Sequence, residues 1–197
     1  MPIIEKRYIA RDRSVVMKAS SNGTGSIRLN LGAGRKMHPG FINIDKQPLA
    51  ETDVVWDLER TPLPFETDSV SEVVCEHILE HIREFVPLME EVHRVCKPGA
   101  LVRVAVPYFR YEGAFRDPTH VRFFSEHSFD YFCNGHTLDY YTKARFSLKK
   151  AQLRTNFKTN TKTFHKRIIK LIPFKKLLNP FLWNMYSEVY FELEVVK

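Results

Sequence analysis

Apolar and polar positions along the chain fall into short runs whose period changes repeatedly. Ile27–Leu31 is strand-like and leads straight into Gly32-Ala33-Gly34. Phe41–Ile44, ending on Asp45, predicts a second strand, and Asp53–Leu58, with Val54, Val55 and Trp56, predicts a third. Val70–Cys75 has the look of a buried strand, and Leu101–Val106 alternates around Arg103. Between them Phe85, Leu88, Met89, Val92 and Val95–Cys96 recur at the spacing of an amphipathic helix, which Lys97-Pro98-Gly99 ends. Ala144–Leu153 and Glu188–Val196 alternate as two late strands, the second with Val189, Phe191, Leu193 and Val195 on one side. Strands interleaved with helices predict a mainly parallel sheet with covered faces. The two late strands have no obvious crossover between them and predict an antiparallel pair at one edge. Residues 1–26 are polar and end in the Ser/Gly/Asn-rich run Ser20–Ser26. The expected organisation is therefore an N-terminal arm and flexible link over 1–26, then one α/β domain over 27–197.

Composition narrows this picture. A chain of 197 residues suits one domain with a real core. Cys75, Cys96 and Cys133 are odd in number and far apart, with no C-x-x-C pair. This argues against a disulfide framework or a cysteine zinc site and fits a reducing cytoplasm, so no metal ion is expected. There is no apolar signal core and no run of membrane-spanning length, and a cytoplasmic location is the expectation.

The formal charge of +7 has a definite place. Between Asn156 and Ser187 lie Lys158, Lys162, Lys166, Arg167, Lys170, Lys175 and Lys176, with no acidic residue. Removing those seven from the 30 lysines and arginines leaves 23, equal to the 23 acidic residues. Basicity thus belongs to one segment, and nucleic acid is not an expected partner. In that segment Phe164, Ile168, Leu171 and Ile172 share a helical face opposite Lys166, Arg167 and Lys170. Pro173 interrupts the pattern, and Phe174, Leu177, Leu178, Phe181, Leu182 and Trp183 continue an apolar surface. This basic, apolar insertion, residues 156–186, suits a helical lid, a homodimer surface or a peripheral contact with anionic lipid.

The strongest chemical signal is Leu29-Asn30-Leu31-Gly32-Ala33-Gly34. Glycines at the carboxyl end of a first strand let backbone approach a ligand with no Cβ in the way. A dinucleotide fingerprint wants a third glycine where Met37 stands, which counts against a nicotinamide-dependent oxidoreductase. Asp45 closes the second strand, where a carboxylate can accept hydrogen bonds from both ribose hydroxyls of an adenosine ligand. Asp57-Leu58 follows the third, where a carboxylate and a backbone N–H can bracket an adenine edge. Glycine, acid and acid at three successive strand ends form an order that chance produces far less readily than any one piece.

These segments, together with D-L-E-R-T-P-L-P-F-E-T-D-S-V, E-H-I-L-E-H-I and E-E-V-H-R-V-C-K-P-G-A, resemble the ordered motifs of class I S-adenosylmethionine-dependent methyltransferases. The nearest group is the small methyltransferase type 11-like proteins, and the resemblance covers roughly Ile27 to Pro107. It implies a Rossmann-like, seven-stranded, mostly parallel sheet with an antiparallel edge, helices on both faces and a helical insertion before the last strand. It also implies S-adenosyl-L-methionine as cofactor. Gly32, Ala33 and Gly34 would line its methionine part. Asp45, with Lys46 beside it, would hold the ribose, Asp57 and Leu58 would face the adenine, and Glu76-His77 would lie beside the sulfonium. One departure stands out: only six residues separate Gly34 from Phe41, too few for the full first helix of many family members.

Methyl transfer needs a positioned acceptor and, for a hydroxyl, a general base. His77 and His81 flank the end of the fourth strand, and Asp117-Pro118-Thr119-His120 follows the fifth. His120 is the best base candidate, with Asp117 to orient it if their side chains approach. Against this, Glu80 and His81 suit bracing of the next helix, and Asp117 suits the turn at Pro118. Tyr108, Arg110 and Arg122 suit an acidic or sugar-like acceptor, and Tyr140 and Tyr141 approach the same pocket. The expected reaction is methyl transfer to oxygen of a small-molecule or carbohydrate-like acceptor. The alternative is a non-catalytic relative of the fold that acts as a membrane-docking or complex-forming module.

Overall fold

A computed structural model describes residues 8–9, 26–50, 52–133, 135–155 and 174–197. Its strands are β1 (Tyr8–Ile9), β2 (Ile27–Leu31), β3 (Ile42–Asp45), β4 (Val54–Val55), β5 (Val70–Glu76), β6 (Cys96–Pro107), β7 (Arg145–Arg154) and β8 (Glu188–Val196). They form one sheet in the order β1-β4-β3-β2-β5-β6-β8-β7. Only β8 runs against the rest, antiparallel to both β6 and β7. Seven of the described strands belong to residues 27–197, the expected number, and the arm contributes the short β1, parallel beside β4. The chain leaves β2 toward β3 on one side and returns to β5 on the other. That reversal opens a crevice at the carboxyl ends of β2 and β5, where open α/β sheets bind ligands.

Alternation along the central strands sorts the two faces. Val73, Val102, Val104, Phe191 and Leu193 are fully buried on one of them. Here α1 (Phe85–Val95) packs its buried stripe of Phe85, Leu88, Met89, Val92 and Val95. Phe129 lies 5.8 Å from Phe85 and 4.6 Å from Phe191, which ties the chain after β6 onto the same core. The opposite face shows Arg28, Glu72, Arg103, Tyr190, Glu192 and Glu194, all partly exposed.

Helices are expected on both faces; among the described residues none covers this second one. Connections 32–41 and 46–53 are shorter than the dozen or so residues that a helical crossover requires. A polar network holds the first of them instead. Buried Asn30 donates to Lys36 O (2.8 Å) and to Asn43 Oδ1 (2.9 Å), and Asn43 donates to Asp53 Oδ2 from its amide side chain (2.9 Å) and its backbone (2.7 Å).

The third strand is also shorter than Asp53–Leu58. After Val55 the chain bends into a turn closed by Arg60 N donating to Asp57 O. The helix predicted on 164–172 lies outside the described residues, as does all of 156–173. The rest of the insertion holds a four-residue helix, α2 being Gly113–Arg116 and this one α3, Lys175–Leu178. Phe174, Leu177, Phe181 and Trp183 are exposed around it. Among the described residues no helix is long and apolar enough to cross a membrane.

Candidate active site

Gly32 and Gly34 both have positive φ, +67° and +51°, at the end of β2. A Cβ on Gly32 would sit 2.3 Å from Ile78 Cγ1, so the loop rests directly on the chain after β5. A Cβ on Gly34 would meet nothing within 4 Å, so this backbone faces open space. Asp45 fixes the loop: its Oδ2 accepts from Gly34 N (2.8 Å) and its Oδ1 from Gln47 N (2.9 Å). A carboxylate has about four acceptor positions, so two remain for ribose hydroxyls. Lys46 beside it is exposed.

Asp57 follows β4 and accepts from Glu59 N (3.1 Å). The Leu58 side chain is buried in the core, so only its backbone can serve an adenine edge. Glu76 points to the face on which no described helix packs, where it pairs with Lys36 and lies 3.6 Å from His38. The cradle of bare backbone and an acid on the neighbouring strand fit an adenosine-type cofactor.

Beside this cradle, past Ile78, lies a cleft of about 590 Å³. His77, Glu80, His81, Tyr111, Arg116, Asp117, His120 and Glu188 line it. Its volume is that of a small-molecule site. His77, with φ of +55°, places Nε2 3.0 Å from Glu188 Oε2 and Nδ1 3.4 Å from Glu80 Oε1. The hydrogen bond to Glu188, and then the nearby carboxylate of Glu80, lift its pKa to about 9 against the opposing effect of burial. His77 therefore carries a proton at neutral pH, which removes it from the base role.

The other two histidines are arranged differently. His120 Nδ1 lies 2.7 Å from Ala114 O, and a carbonyl only accepts, so the Nδ1 proton points there. His81 Nδ1 lies 2.9 Å from Thr119 Oγ1, whose own proton goes to Asp117 Oδ1 at 2.6 Å. Nδ1–H of His81 is therefore also a donor. With Nδ1 as donor, the lone pair of each ring falls on Nε2 whenever the ring is neutral, and the rings meet edge to face at 4.8 Å between centroids. The segments are held together by Val121 N donating to Glu80 O (2.8 Å) and Arg122 Nε donating to Ile82 O (2.8 Å).

Several expected roles change with this geometry. Asp117 does not orient His120: their closest atoms are 3.9 Å apart, beyond a hydrogen bond. Instead Asp117 makes the turn at Pro118 by accepting from Thr119 N (2.9 Å), and the amide and hydroxyl of Thr119 hold its carboxyl below the usual range. Tyr108 is a core residue, buried beneath Asn179, which donates to its hydroxyl at 2.8 Å. Arg122 is occupied by the carbonyls of Ile82 and Arg83 and by the Phe85 ring. Arg110 donates to Pro180 O (2.9 Å).

Tyr140 and Tyr141 are exposed and do not line the cleft. Glu80 and His81 do not brace α1; Glu59 does, accepting from Arg83 N (2.8 Å) and Glu84 N (3.0 Å). Glu188 was missed by sequence reasoning, because at the head of an alternating strand it reads as one more solvent-facing position.

The fold is that of the class I S-adenosylmethionine-dependent methyltransferases. Residues 29–104 match the methyltransferase domain family. No curated protein matches the sequence. Among solved structures the chain resembles an S-adenosylmethionine-dependent methyltransferase from Archaeoglobus fulgidus (TM-score 0.58, 15% identity, 86% of each chain covered). It also resembles one from Mesorhizobium loti (0.50, 14%, 86% of this chain and 91% of that one). A third likeness is to a Haloferax volcanii chain solved in a complex of the Trm112 methyltransferase activator with a methyltransferase (0.56, 14%, 88% and 84%). At such identities the likeness speaks for the fold alone.

Proposed function

We propose that this protein is an S-adenosylmethionine-dependent methyltransferase that methylates an oxygen of a small-molecule or carbohydrate-like acceptor. The observation that carries this reading is the adjacency of two sites. The glycine cradle with Asp45 abuts a polar cleft through Ile78, so a cofactor on one side and an acceptor on the other meet at the end of β5. Gly32, Ala33 and Gly34 would receive the amino-acid part, Asp45 the ribose, and Asp57 with the Leu58 backbone the adenine. When bound, the cofactor supplies a methyl group activated on a cationic sulfonium. The chain's own work is orientation and proton handling. Carboxylates and imidazoles lining the cleft favour a hydroxylated acceptor over an apolar one. The Nε2 atoms of His81 and His120 are its basic positions, while protonated His77 hydrogen-bonds to Glu188. S-adenosylhomocysteine binding measured by calorimetry, with release of that product in the presence of hydroxylated acceptors, tests the reading. Absence of binding by the folded protein refutes it.

A second reading, peripheral contact with anionic lipid, is supported by exposed aromatic residues at the cleft rim. Phe115 stacks on Phe123 at 4.4 Å and lies 6.2 Å from Trp183, all three about half exposed. Phe115 sits between cleft-lining Gly113 and Arg116, so the rim and the cleft are continuous. Co-sedimentation with anionic liposomes, lost in a double Phe115→Ser, Trp183→Ser variant, is the expected result; no binding by the unmodified protein refutes it.

A further inference from the structure

One buried carboxyl group in the cleft is left without hydrogen bonds. Glu80 is 1% exposed, and neither of its carboxylate oxygens has a hydrogen-bond partner. The nearest cation is His77, 3.4 Å from Oε1, but its other nitrogen is committed to Glu188, itself buried. A buried anion left in this state is costly, and such groups are ordinarily paired or coordinate a metal. A donor atom from each of Glu80, His81 and His120 lies within 4.8 Å of the other two.

We propose that Glu80, His81 and His120 form a binding site for a divalent first-row transition ion at the floor of the acceptor cleft. Two imidazoles and one carboxylate are the mixed nitrogen and oxygen set that such ions take, in contrast to the all-oxygen shells of calcium and magnesium. Three atoms no further than 4.8 Å apart surround a point about 2.8 Å from each, so contraction to bonds of about 2.0–2.2 Å takes movements under an ångström. The surroundings are those of ligating histidines. Each ring donates its Nδ1 proton to a fixed oxygen, Ala114 O for His120 and Thr119 Oγ1 for His81, which leaves Nε2 free to bond. Asp117 completes the second chain of contacts by holding the Thr119 hydroxyl.

Three protein ligands leave coordination positions open toward the cleft, the pattern of a catalytic rather than a structural site. This inference rests on the methyltransferase reading for its purpose. An ion held there would polarise a hydroxyl oxygen bound to it, so that the hydroxyl proton would pass to solvent water and the oxygen would be fixed as the nucleophile without a side-chain base.

The site is tested with Co²⁺ alone, by visible absorption and calorimetry on the full chain, with S-adenosylhomocysteine affinity measured separately. We expect one equivalent of Co²⁺ on the unmodified protein, with affinity reduced about 100-fold or more by His81→Gln and by His120→Gln. Circular dichroism and retained S-adenosylhomocysteine binding show that those variants are folded; Glu80→Gln is a third variant, interpreted only if it meets the same criteria. Absence of stoichiometric Co²⁺ uptake, or uptake undiminished in both histidine variants, overturns the assignment. Metal uptake without S-adenosylhomocysteine binding upholds the site and refutes the methyltransferase reading; the reverse result does the opposite.

Discussion

Alanine at Gly32 and alanine at Gly34 should separate folding from cofactor binding. At Gly32 two costs add. Its φ of +67° lies in the left-handed region, where a Cβ costs about 1–2 kcal/mol. The new Cβ would also lie 2.3 Å from Ile78 Cγ1 and 2.6 Å from its Cβ and Cδ1, well inside the ~3.5–4.0 Å of a normal carbon contact. Because one of those atoms is Ile78 Cβ, no rotamer change clears the clash, and either the loop or the chain at 77–79 must shift. Overpacking of this kind costs about 1–3 kcal/mol. The total for Gly32→Ala is then about 2–5 kcal/mol. At Gly34 the φ of +51° gives the same left-handed cost, but a Cβ meets no atom within 4 Å. Gly34→Ala should therefore lose only about 1–2 kcal/mol.

The assays are urea unfolding, with the midpoint compared at constant slope, and S-adenosylhomocysteine calorimetry. With slopes of about 1–3 kcal/mol/M, Gly32→Ala should lower the midpoint by roughly 1 M or more. Gly34→Ala should lower it by clearly less, yet weaken the ligand about tenfold or more, since its methyl enters the space the ligand needs. Equal midpoints for the two variants would refute the argument from the Ile78 contact. Binding by Gly34→Ala equal to that of the unmodified protein would refute the cradle.

Asp45→Ala should weaken S-adenosylhomocysteine by at least about tenfold in calorimetry, because the carboxylate that holds Gly34 N, and that is proposed to hold the ribose, is lost. Asn43→Ala should cost about 1–2 kcal/mol in urea unfolding, since one buried Asn30 amide hydrogen loses its acceptor while Asp53 keeps the backbone N–H of residue 43. His77 has a raised pKa, so its pairing with Glu188 stabilises fully below the ordinary value of 6.5 and is lost as pH rises through about 9. Glu188→Gln should bring the His77 titration, followed by NMR, down toward 6.5 and flatten that alkaline loss of stability; an unchanged titration would remove Glu188 as the cause.

Much of the scaffold was legible in the chain. The strands Ile27–Leu31, Val70–Glu76 and Glu188–Val196 and the helix Phe85–Val95 stand within a residue or so of their patterned positions. Their periods are set by neighbours along the chain, so local sequence suffices. Faces were less legible. Arg28, Glu72 and Arg103 alternate with apolar residues in strands expected to be covered on both sides, and that polarity marks the face that carries no described helix. Tyr108 and Arg122 were misplaced for a related reason. A residue type that suits a ligand also suits a core hydroxyl or a carbonyl clamp, and only the packing distinguishes them.

By itself, then, the sequence determined the order of glycine, acid and acid at successive strand ends, and with it the backbone loop proposed to hold the cofactor. Each of those features lies where one strand stops and its turn begins, so local chemistry dictates it. The tertiary structure alone decided the cleft. His77 finds Glu188 across 111 positions of sequence, because β8 inserts antiparallel beside β6 and brings its first residue to the carboxyl end of β6. His81 and His120 meet because backbone hydrogen bonds lay the segment 119–122 over 80–83. Strand order and crossing are settled by the burial of the whole sheet. No local pattern could show that these side chains share one charged pocket.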